Sequence, residues 1–176
     1  MFEEHLERHG LPLELKYLAI VESALNPTAT SRSGARGLWQ FMPRTGEMYD
    51  LTITSYVDKR CDPFLATDAA CQYLSFLHEI YHDWNLVLAA YNCGLGTVNK
   101  AIRRANGATN YWEIRHLLPR ETQNYIPAFT AVNYVMNYYQ AHDIEPKEVQ
   151  FINLNIDTVH VCKRIEFDVL EEWLGY

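Results

Sequence analysis

The sequence lacks the patterns that mark metal-binding, membrane-spanning and nucleic-acid-binding proteins. Its four cysteines, Cys61, Cys71, Cys93 and Cys162, show neither C-x-x-C nor mixed Cys/His ligand spacing, so we expect no metal ion and no cofactor. No apolar run is long enough to cross a bilayer, so we expect no membrane anchor within this chain. Acidic residues outnumber basic ones, 22 to 15, and the net charge of -7 argues against a nucleic-acid partner.

The first residues and the cysteines bear on the compartment in which the chain works. The opening MFEEHLERHG is polar and charged, unlike a signal peptide, and we expect residues 2–9 to form an exposed lead-in. A bridge between Cys61 and Cys71 is one alternative in an oxidising compartment. Because Cys71 falls inside a predicted helix, we favour buried free thiols instead.

The residue pattern predicts an all-α domain over residues 1–145, followed by a different segment over 146–176. Helical periodicity predicts a long helix from about Asp62 to His82, then an almost entirely apolar, buried helix that ends at Gly94. Further helices are expected over 97–105, 111–118 and 120–140, with Pro127 starting a new helix or kinking a continuing one. After residue 146 the β-branched residues alternate, which predicts a β-containing extension, such as a hairpin packed on the helical domain.

One carboxylate interrupts the apolar face of the first strongly periodic helix. This face comprises Leu11, Leu15, Leu18, Glu22 and Leu25, at spacings of three and four residues. Ionised glutamate is costly to desolvate, so the pattern favours either a buried ion pair or an acid whose pKa is raised for proton transfer. Asn26-Pro27 is expected to end the helix, which places Glu22 in its last turn.

Four short motifs follow one another in order after this helix. They are Glu22-Ser23, then GLWQFMP from Gly37, then Ala90-Tyr91-Asn92 with Gly94, then Glu121-Thr122 with Tyr125. Together they resemble the motifs of the soluble lytic transglycosylase family, over roughly residues 11 to 140. The resemblance implies an all-α, lysozyme-like fold, peptidoglycan glycan strands as the partner, and a place in the bacterial cell envelope, in the periplasm or at the outer membrane. The segment 146–176 faintly resembles the start of a LysM-like module, although the usual glycine-aspartate-threonine turn is absent.

The resemblance also implies a reaction in which one glutamate does the work of two. Glu22 matches the family's catalytic glutamate. It would first act as general acid on the β-1,4 bond between N-acetylmuramic acid (MurNAc) and N-acetylglucosamine (GlcNAc). It would then act as general base on the C6 hydroxyl, closing a 1,6-anhydro ring. A residue in both roles needs a pKa near the working pH, and an apolar site at a helix end shifts the pKa in that direction.

By the same resemblance, six further residues match substrate-binding positions: Ser23, Gln40, Met42, Tyr91, Asn92 and Tyr125. The Ser23 hydroxyl would orient the carboxyl or an acetamido group, the Asn92 amide would hold an N-acetyl group, and the Tyr125 hydroxyl would lie near the catalytic carboxyl. The sequence departs from the family pattern at Trp39, where methionine is common, and at Cys93, where a small residue is usual. We expect the wall at Trp39 to stay apolar.

Two alternatives to this function stay open. A goose-type-lysozyme-like hydrolase shares the fold and the acid, and an inverting hydrolase needs a second carboxylate about 6.5–9.5 Å away across the sugar. The carboxylates after the second motif, Glu47, Asp50, Asp58 and Asp62, fall in loop or cap segments, and Glu121 is expected to orient partners. We therefore expect no carboxylate opposite Glu22. A non-catalytic glycan-binding module is the other alternative, which the intact Glu22-Ser23 motif disfavours.

Overall fold

Helices dominate the structure, a computed structural model that describes residues 1–147, 166, 168 and 169. Its α-helices are, in order, α1 Phe2–Arg8, α2 Leu18–Ser23, α3 Pro43–Met48, α4 Pro63–Tyr81, α5 Trp84–Cys93, α6 Leu95–Arg104, α7 Tyr111–Ile114 and α8 Arg120–Asn137. Short 3-10 helices lie at Leu13–Tyr17, Lys59–Cys61, Arg115–Leu117 and Tyr139–His142. The extended pairing within the described residues is limited to isolated bridges, such as that between Arg36 and Phe41. The prediction of an all-α fold is confirmed.

Contacts divide the chain into two units, Met1–His142 and Asp143–Tyr176, and the helices above form the first. The expected change of domain at residue 146, and the β-containing or LysM-like extension over 146–176, fall almost wholly outside the described residues. They stay predictions.

The centre of the helical unit is α5, as its apolar sequence predicted. Its residues 86–90 are all at most 2% exposed, and the helix packs against α4, α6, α7 and α8. Aspartates begin both long core helices as expected: the Asp62 side chain accepts hydrogen bonds from two amides of α4, and Asp83 accepts one from the Leu86 amide at 2.8 Å. Pro127 lies inside α8, so that helix continues through the proline.

The first residues are not an exposed lead-in. They form α1, in which His5 and Leu6 are buried, and the Phe2 ring meets Trp39 edge-on at 5.6 Å between centroids. His9, at the end of this helix, lies 2.9 Å from the Asp68 carboxylate of α4 through its Nε2 atom. The prediction was wrong because the charged residues occupy one face of a short helix whose other face completes the core.

The helix of Glu22 ends earlier than the sequence indicated. A 3-10 helix precedes α2, and Ala24 and Leu25 take left-handed backbone angles, with φ of 51° and 63°. The chain therefore turns away after Ser23, before Asn26-Pro27 is reached. Leu25, expected on the buried stripe, is 49% exposed as a result, whereas the other three leucines of the stripe are buried.

Three cysteines lie among the described residues, and all three are free thiols. Cys71 is fully buried, and its removal from water raises its pKa to about 12, whereas Cys61 is only partly buried. The same part of the chain contains no group of three or more His, Cys, Asp or Glu side chains placed to hold a metal ion. None of its helices has the length and apolar character needed to cross a membrane.

Arg60 fixes the long segment between α2 and α3. Its guanidinium is buried and donates to the carbonyls of Gly34 at 2.9 Å and Phe41 at 2.8 Å, while Asp58 receives its other two hydrogen bonds. The two hydrogen bonds that Asp58 accepts from Arg60 hold the pKa of the Asp58 carboxyl below its usual range. Gly37 lies against the same turn with φ of +87°, and a Cβ there would stand 1.8 Å from the Arg60 carbonyl oxygen. Glycine is therefore required at position 37.

We expect Gly37→Ala to destabilise the domain by at least about 2 kcal/mol, because it adds a clash with backbone to a left-handed φ. Gly34→Ala is the matched control, since Gly34 has φ of +89° and nothing within 4 Å of an added Cβ. It should lose only about 1 kcal/mol. Urea unfolding followed by circular dichroism compares the two. Equal losses would show that the close approach to Arg60 does not matter.

Candidate active site

A cleft of about 520 Å³ opens where α2, α4, α5 and α8 meet the segment before α3. The predicted site residues that line it are Glu22, Gln40, Met42, Tyr91, Asn92 and Tyr125. These residues come from four separate stretches of the chain, and the fold brings them to one surface. Ser23 is the predicted site residue that does not line this cleft.

Glu22 lies half-buried at the C-terminal end of α2, where the cleft begins. Its removal from water raises the pKa of the carboxyl to about 7. Tyr125 of α8 donates a hydrogen bond to Glu22 Oε1, which stabilises the charged form and works against this rise, while the negative charge of Glu121 adds to it. Near neutral pH the carboxyl therefore exists in both protonation states, and it can give up or take a proton.

Ser23, the residue after Glu22, uses its hydroxyl to hold the end of α2 in place. Its hydroxyl oxygen lies 3.0 Å from the carbonyl oxygen of Ala19 and 2.9 Å from that of Leu38. The second contact ties the end of α2 to the GLWQFMP segment. The structure thus directs the Ser23 hydroxyl at backbone carbonyls and not at the Glu22 carboxyl.

Tyr91 and Gln40 support the same segment from the other side. The Tyr91 hydroxyl donates to the Trp39 carbonyl at 2.8 Å, and Gln40 Nε2 donates to the carbonyls of Ala29 at 3.1 Å and Gly37 at 2.8 Å. Both side chains line the cleft, and their polar atoms hydrogen-bond to backbone carbonyls of the cleft wall. Each therefore shapes the wall that a ligand would meet.

Trp39 and Met42, both expected in the apolar wall of the cleft, differ in their exposure to it. The Trp39 side chain is fully buried, and its indole donates to the Thr67 hydroxyl at 2.9 Å, so it belongs to the core. Met42 is 43% exposed at the start of α3 and lines the cleft. The apolar contact available to a ligand in this segment comes from Met42 and Phe41.

Sequence reasoning missed several residues of the cleft: Ser31, Ser33, Thr45 and Tyr73. Tyr73 packs its ring 5.4 Å from Tyr91 and 5.6 Å from Tyr49, which extends an aromatic surface along the cleft. In the sequence it is one more apolar residue of a long amphipathic helix, and only the packing of α4 against α5 distinguishes it. The serines lie in the polar stretch TATSRSGARG, whose length between two motifs was the available signal.

The cleft contains a second carboxylate, Glu121, which is exposed one turn before Tyr125 on α8. The other carboxylates considered from the sequence lie elsewhere: Asp58 bonds to Arg60, Asp62 caps α4, and Glu47 and Asp50 line a separate pocket. Glu121 thus shares the cleft with Glu22 and lies on the helix that also supplies its hydrogen-bond donor, and the expectation that no carboxylate lies opposite Glu22 across the sugar stays a prediction.

An all-α fold with a half-buried glutamate in a polar and aromatic cleft is typical of lysozyme-like domains. Comparison with known proteins agrees with this geometry. Residues 1–114 match the family described as "Transglycosylase SLT domain". The chain belongs to this family.

Relatives and solved structures extend the comparison. The chain is 40% identical over 135 residues to membrane-bound lytic murein transglycosylase D of Escherichia coli, covering 74% of this chain and 29% of that protein. The 70 kDa soluble lytic transglycosylase SLT70 from Escherichia coli matches 79% of this chain with a TM-score of 0.63 and 26% identity. A complex of the 70 kDa enzyme with bulgecin A matches with a TM-score of 0.66 and 25% identity. The chain spans 24% of the length of these two structures and less than a third of the first relative.

We expect Tyr125→Phe to raise the pKa of Glu22 further. The change removes the hydrogen bond that stabilises the carboxylate and leaves the burial that disfavours it. Carbon-13 NMR titration of the glutamate carboxyl groups measures the shift. Tyr73→Phe is the matched control, because Tyr73 lines the same cleft without a hydrogen bond to Glu22. An unchanged or lower Glu22 pKa in the Tyr125 variant would show that this hydrogen bond does not stabilise the Glu22 carboxylate.

Proposed function

We propose that this chain is the catalytic domain of a peptidoglycan lytic transglycosylase. It cleaves the β-1,4 bond between MurNAc and GlcNAc and leaves 1,6-anhydro-MurNAc ends. The observation that carries the proposal is Glu22, a half-buried carboxyl with a pKa of about 7 that faces a cleft and accepts a hydrogen bond from Tyr125. Membership of the SLT family and the murein-cleaving names of the relatives support it.

Glu22 acts first as an acid. The protonated carboxyl donates its proton to the glycosidic oxygen as the bond to the MurNAc anomeric carbon breaks, and the GlcNAc part leaves as an alcohol. The acetamido group of MurNAc assists as positive charge develops at that carbon. The Tyr125 hydrogen bond stabilises the carboxylate left on Glu22, because it favours the charged form.

Glu22 then acts as a base. The carboxylate takes the proton of the MurNAc C6 hydroxyl, and that oxygen bonds to the anomeric carbon to close the anhydro ring. The glutamate regains its proton and no water is consumed. A hydroxyl of the same sugar has a large effective-concentration advantage over a diffusing water, of up to about 10⁵ M or more when the geometry is right.

The remaining cleft residues bind the sugars. The aromatic rings of Tyr91 and Tyr73 and the Met42 side chain offer apolar surface, and the Asn92 amide offers a hydrogen-bond donor to an N-acetyl group. Peptidoglycan lies in the cell envelope, and the relative from Escherichia coli is named membrane-bound. The proposal therefore places this domain in the bacterial cell envelope, acting on glycan strands without a metal or nucleotide.

Glu121 favours a second candidate, a goose-type-lysozyme-like hydrolase. A carboxylate in the cleft could activate a water molecule for attack on the anomeric carbon. Against this role, Glu121 is exposed, and it lies on the helix that orients Glu22 through Tyr125. We therefore assign it the weaker role of raising the Glu22 pKa, and the products of the reaction decide between the two enzymes.

Glu22→Gln should lower peptidoglycan cleavage by at least about 100-fold, because the amide keeps the shape of the side chain but cannot deliver or recover a proton. Release of soluble fragments from purified peptidoglycan measures the loss. Glu14→Gln, a change at an exposed glutamate just before α2, is the matched control and should retain activity.

The same variant tests a structural role for Glu22. The folded state binds the proton of this carboxyl more tightly than the unfolded state does, so the free energy of unfolding falls as the pH rises from the ordinary glutamate pKa towards about 7, and the loss is complete above about pH 7. The Gln variant avoids that cost and should be at least as stable as the parent above this pH. Near-normal activity, or a large loss of stability, would point instead to a glutamate that serves packing.

Mass spectrometry of the digest should show muropeptides that are lighter by one water than lysozyme products. Glu121→Gln should leave this product unchanged and lower the pKa of Glu22, because it removes a neighbouring negative charge. Hydrated reducing ends as the main product, abolished by Glu121→Gln, would establish the hydrolase in place of the transglycosylase.

A further inference from the structure

Thr122 lies in the first turn of α8, directly behind the cleft, and its side chain is fully buried. Its hydroxyl donates a hydrogen bond to Asn92 Oδ1 at 2.8 Å. Asn92 belongs to the last turn of α5 and lines the cleft. The bond therefore joins a buried residue outside the cleft to an amide that a ligand would touch.

This bond decides which way the Asn92 amide faces. A buried hydroxyl needs an acceptor for its proton, and among the described residues the hydrogen bonds give it Asn92 Oδ1. Within the described part of the chain this hydroxyl makes no hydrogen bond to the Leu118 carbonyl one helical turn earlier, which accepts from the Gln123 side chain at 2.8 Å. Because an amide carries its acceptor and its donors at opposite ends, Oδ1 is held inward and the two Nδ2 hydrogens are left for the cleft.

The donor that holds Asn92 is itself held in place. The fully buried Tyr111 of α7 lies with its hydroxyl 3.2 Å from the Thr122 carbonyl and 3.1 Å from the Gln123 carbonyl. Arg115 Nε also donates to the Gln123 carbonyl at 3.0 Å. These contacts fix the start of α8, and with it the position of the Thr122 hydroxyl.

We propose that Thr122 is a positioning residue that makes this point of the cleft a donor-only site, which selects N-acetylated glycans over N-deacetylated ones. The inference rests on the proposed function, since it requires a glycan in the cleft. An acetamido group presents a carbonyl oxygen to the Asn92 Nδ2 hydrogens. An ammonium group presents only donors, and it would meet donors with no acceptor between them.

The test compares binding of two probes, the pentamer of N-acetylglucosamine and the corresponding glucosamine pentamer, by titration calorimetry. A background that carries both Glu22→Gln and Glu121→Gln prevents turnover and removes the two cleft carboxylates that would attract an ammonium group. Thr122→Val keeps the shape of the side chain without the hydroxyl, and Thr122→Ser keeps the hydroxyl. Thr122→Ala replaces the valine variant if that protein does not fold, as judged by circular dichroism.

We expect the parent of this series to prefer the acetylated pentamer. Thr122→Val should weaken binding of the acetylated pentamer by about 3- to 10-fold and change binding of the deacetylated one little, the effect of one oriented hydrogen bond. Thr122→Ser should keep the preference. Cys93→Ala should also keep it, which controls for the thiol, the other neighbour of the Thr122 hydroxyl.

Equal losses for the two pentamers, or equal losses in the valine and serine variants, would overturn the inference, because packing alone would then explain Thr122. A parent series that binds neither pentamer, or binds both alike, would also overturn it. The proposed function fails separately: wild-type protein that binds the acetylated pentamer with the stated preference but releases no anhydro-muropeptides would leave Thr122 assigned and refute the transglycosylase.

Discussion

The site depends on the burial of one carboxyl and the hydrogen bond that opposes it. Glu22 and Tyr125 are 103 positions apart in the chain, yet the Tyr125 hydroxyl bonds to the Glu22 carboxyl. Burial raises the pKa of Glu22 and the tyrosine lowers it, and the balance falls at about 7. A shift of α8 relative to α2 would change both the burial of Glu22 and its hydrogen bond to Tyr125. The core around α5, on which α8 packs, therefore controls the chemistry as well as the stability.

Several motif residues act on the backbone and not on the reacting groups. Ser23 contacts the Leu38 carbonyl, Tyr91 bonds to the Trp39 carbonyl, and Gln40 bonds to the carbonyls of Ala29 and Gly37. All of these bonds hold the segment that begins at Gly37, whose own conformation excludes a side chain. The GLWQFMP segment therefore forms a wall of the cleft whose backbone is held by Ser23 of the first motif and Tyr91 of the third. In this chain some motif residues line the cleft and others hold the backbone of its wall, and only the tertiary structure separates the two groups.

The helical unit corresponds to one part of larger proteins. The helical unit matches soluble and membrane-bound relatives alike, although it spans less than a third of the relative and structures compared. The chain is 40% identical to one relative and 26% identical to one of the solved enzymes, so the fold is shared while most positions differ. In this chain the scaffold supplies a helix end that partly buries Glu22 and a second helix whose Tyr125 hydrogen-bonds to it.

The sequence by itself determined most of the helices, the aspartate caps at Asp62 and Asp83, and the place of Glu22 in the last turn of a helix, because periodicity and capping are local properties. It also indicated six of the residues that line the cleft, through the order of the motifs. The tertiary structure decided what local patterns do not contain. Left-handed residues after Ser23 expose Leu25, the apolar face of α1 docks against the core, and Tyr73 and Glu121 reach the cleft only because distant helices pack together. The pKa of Glu22 belongs to this second group, since desolvation and a partner 103 residues away exist only in the folded chain.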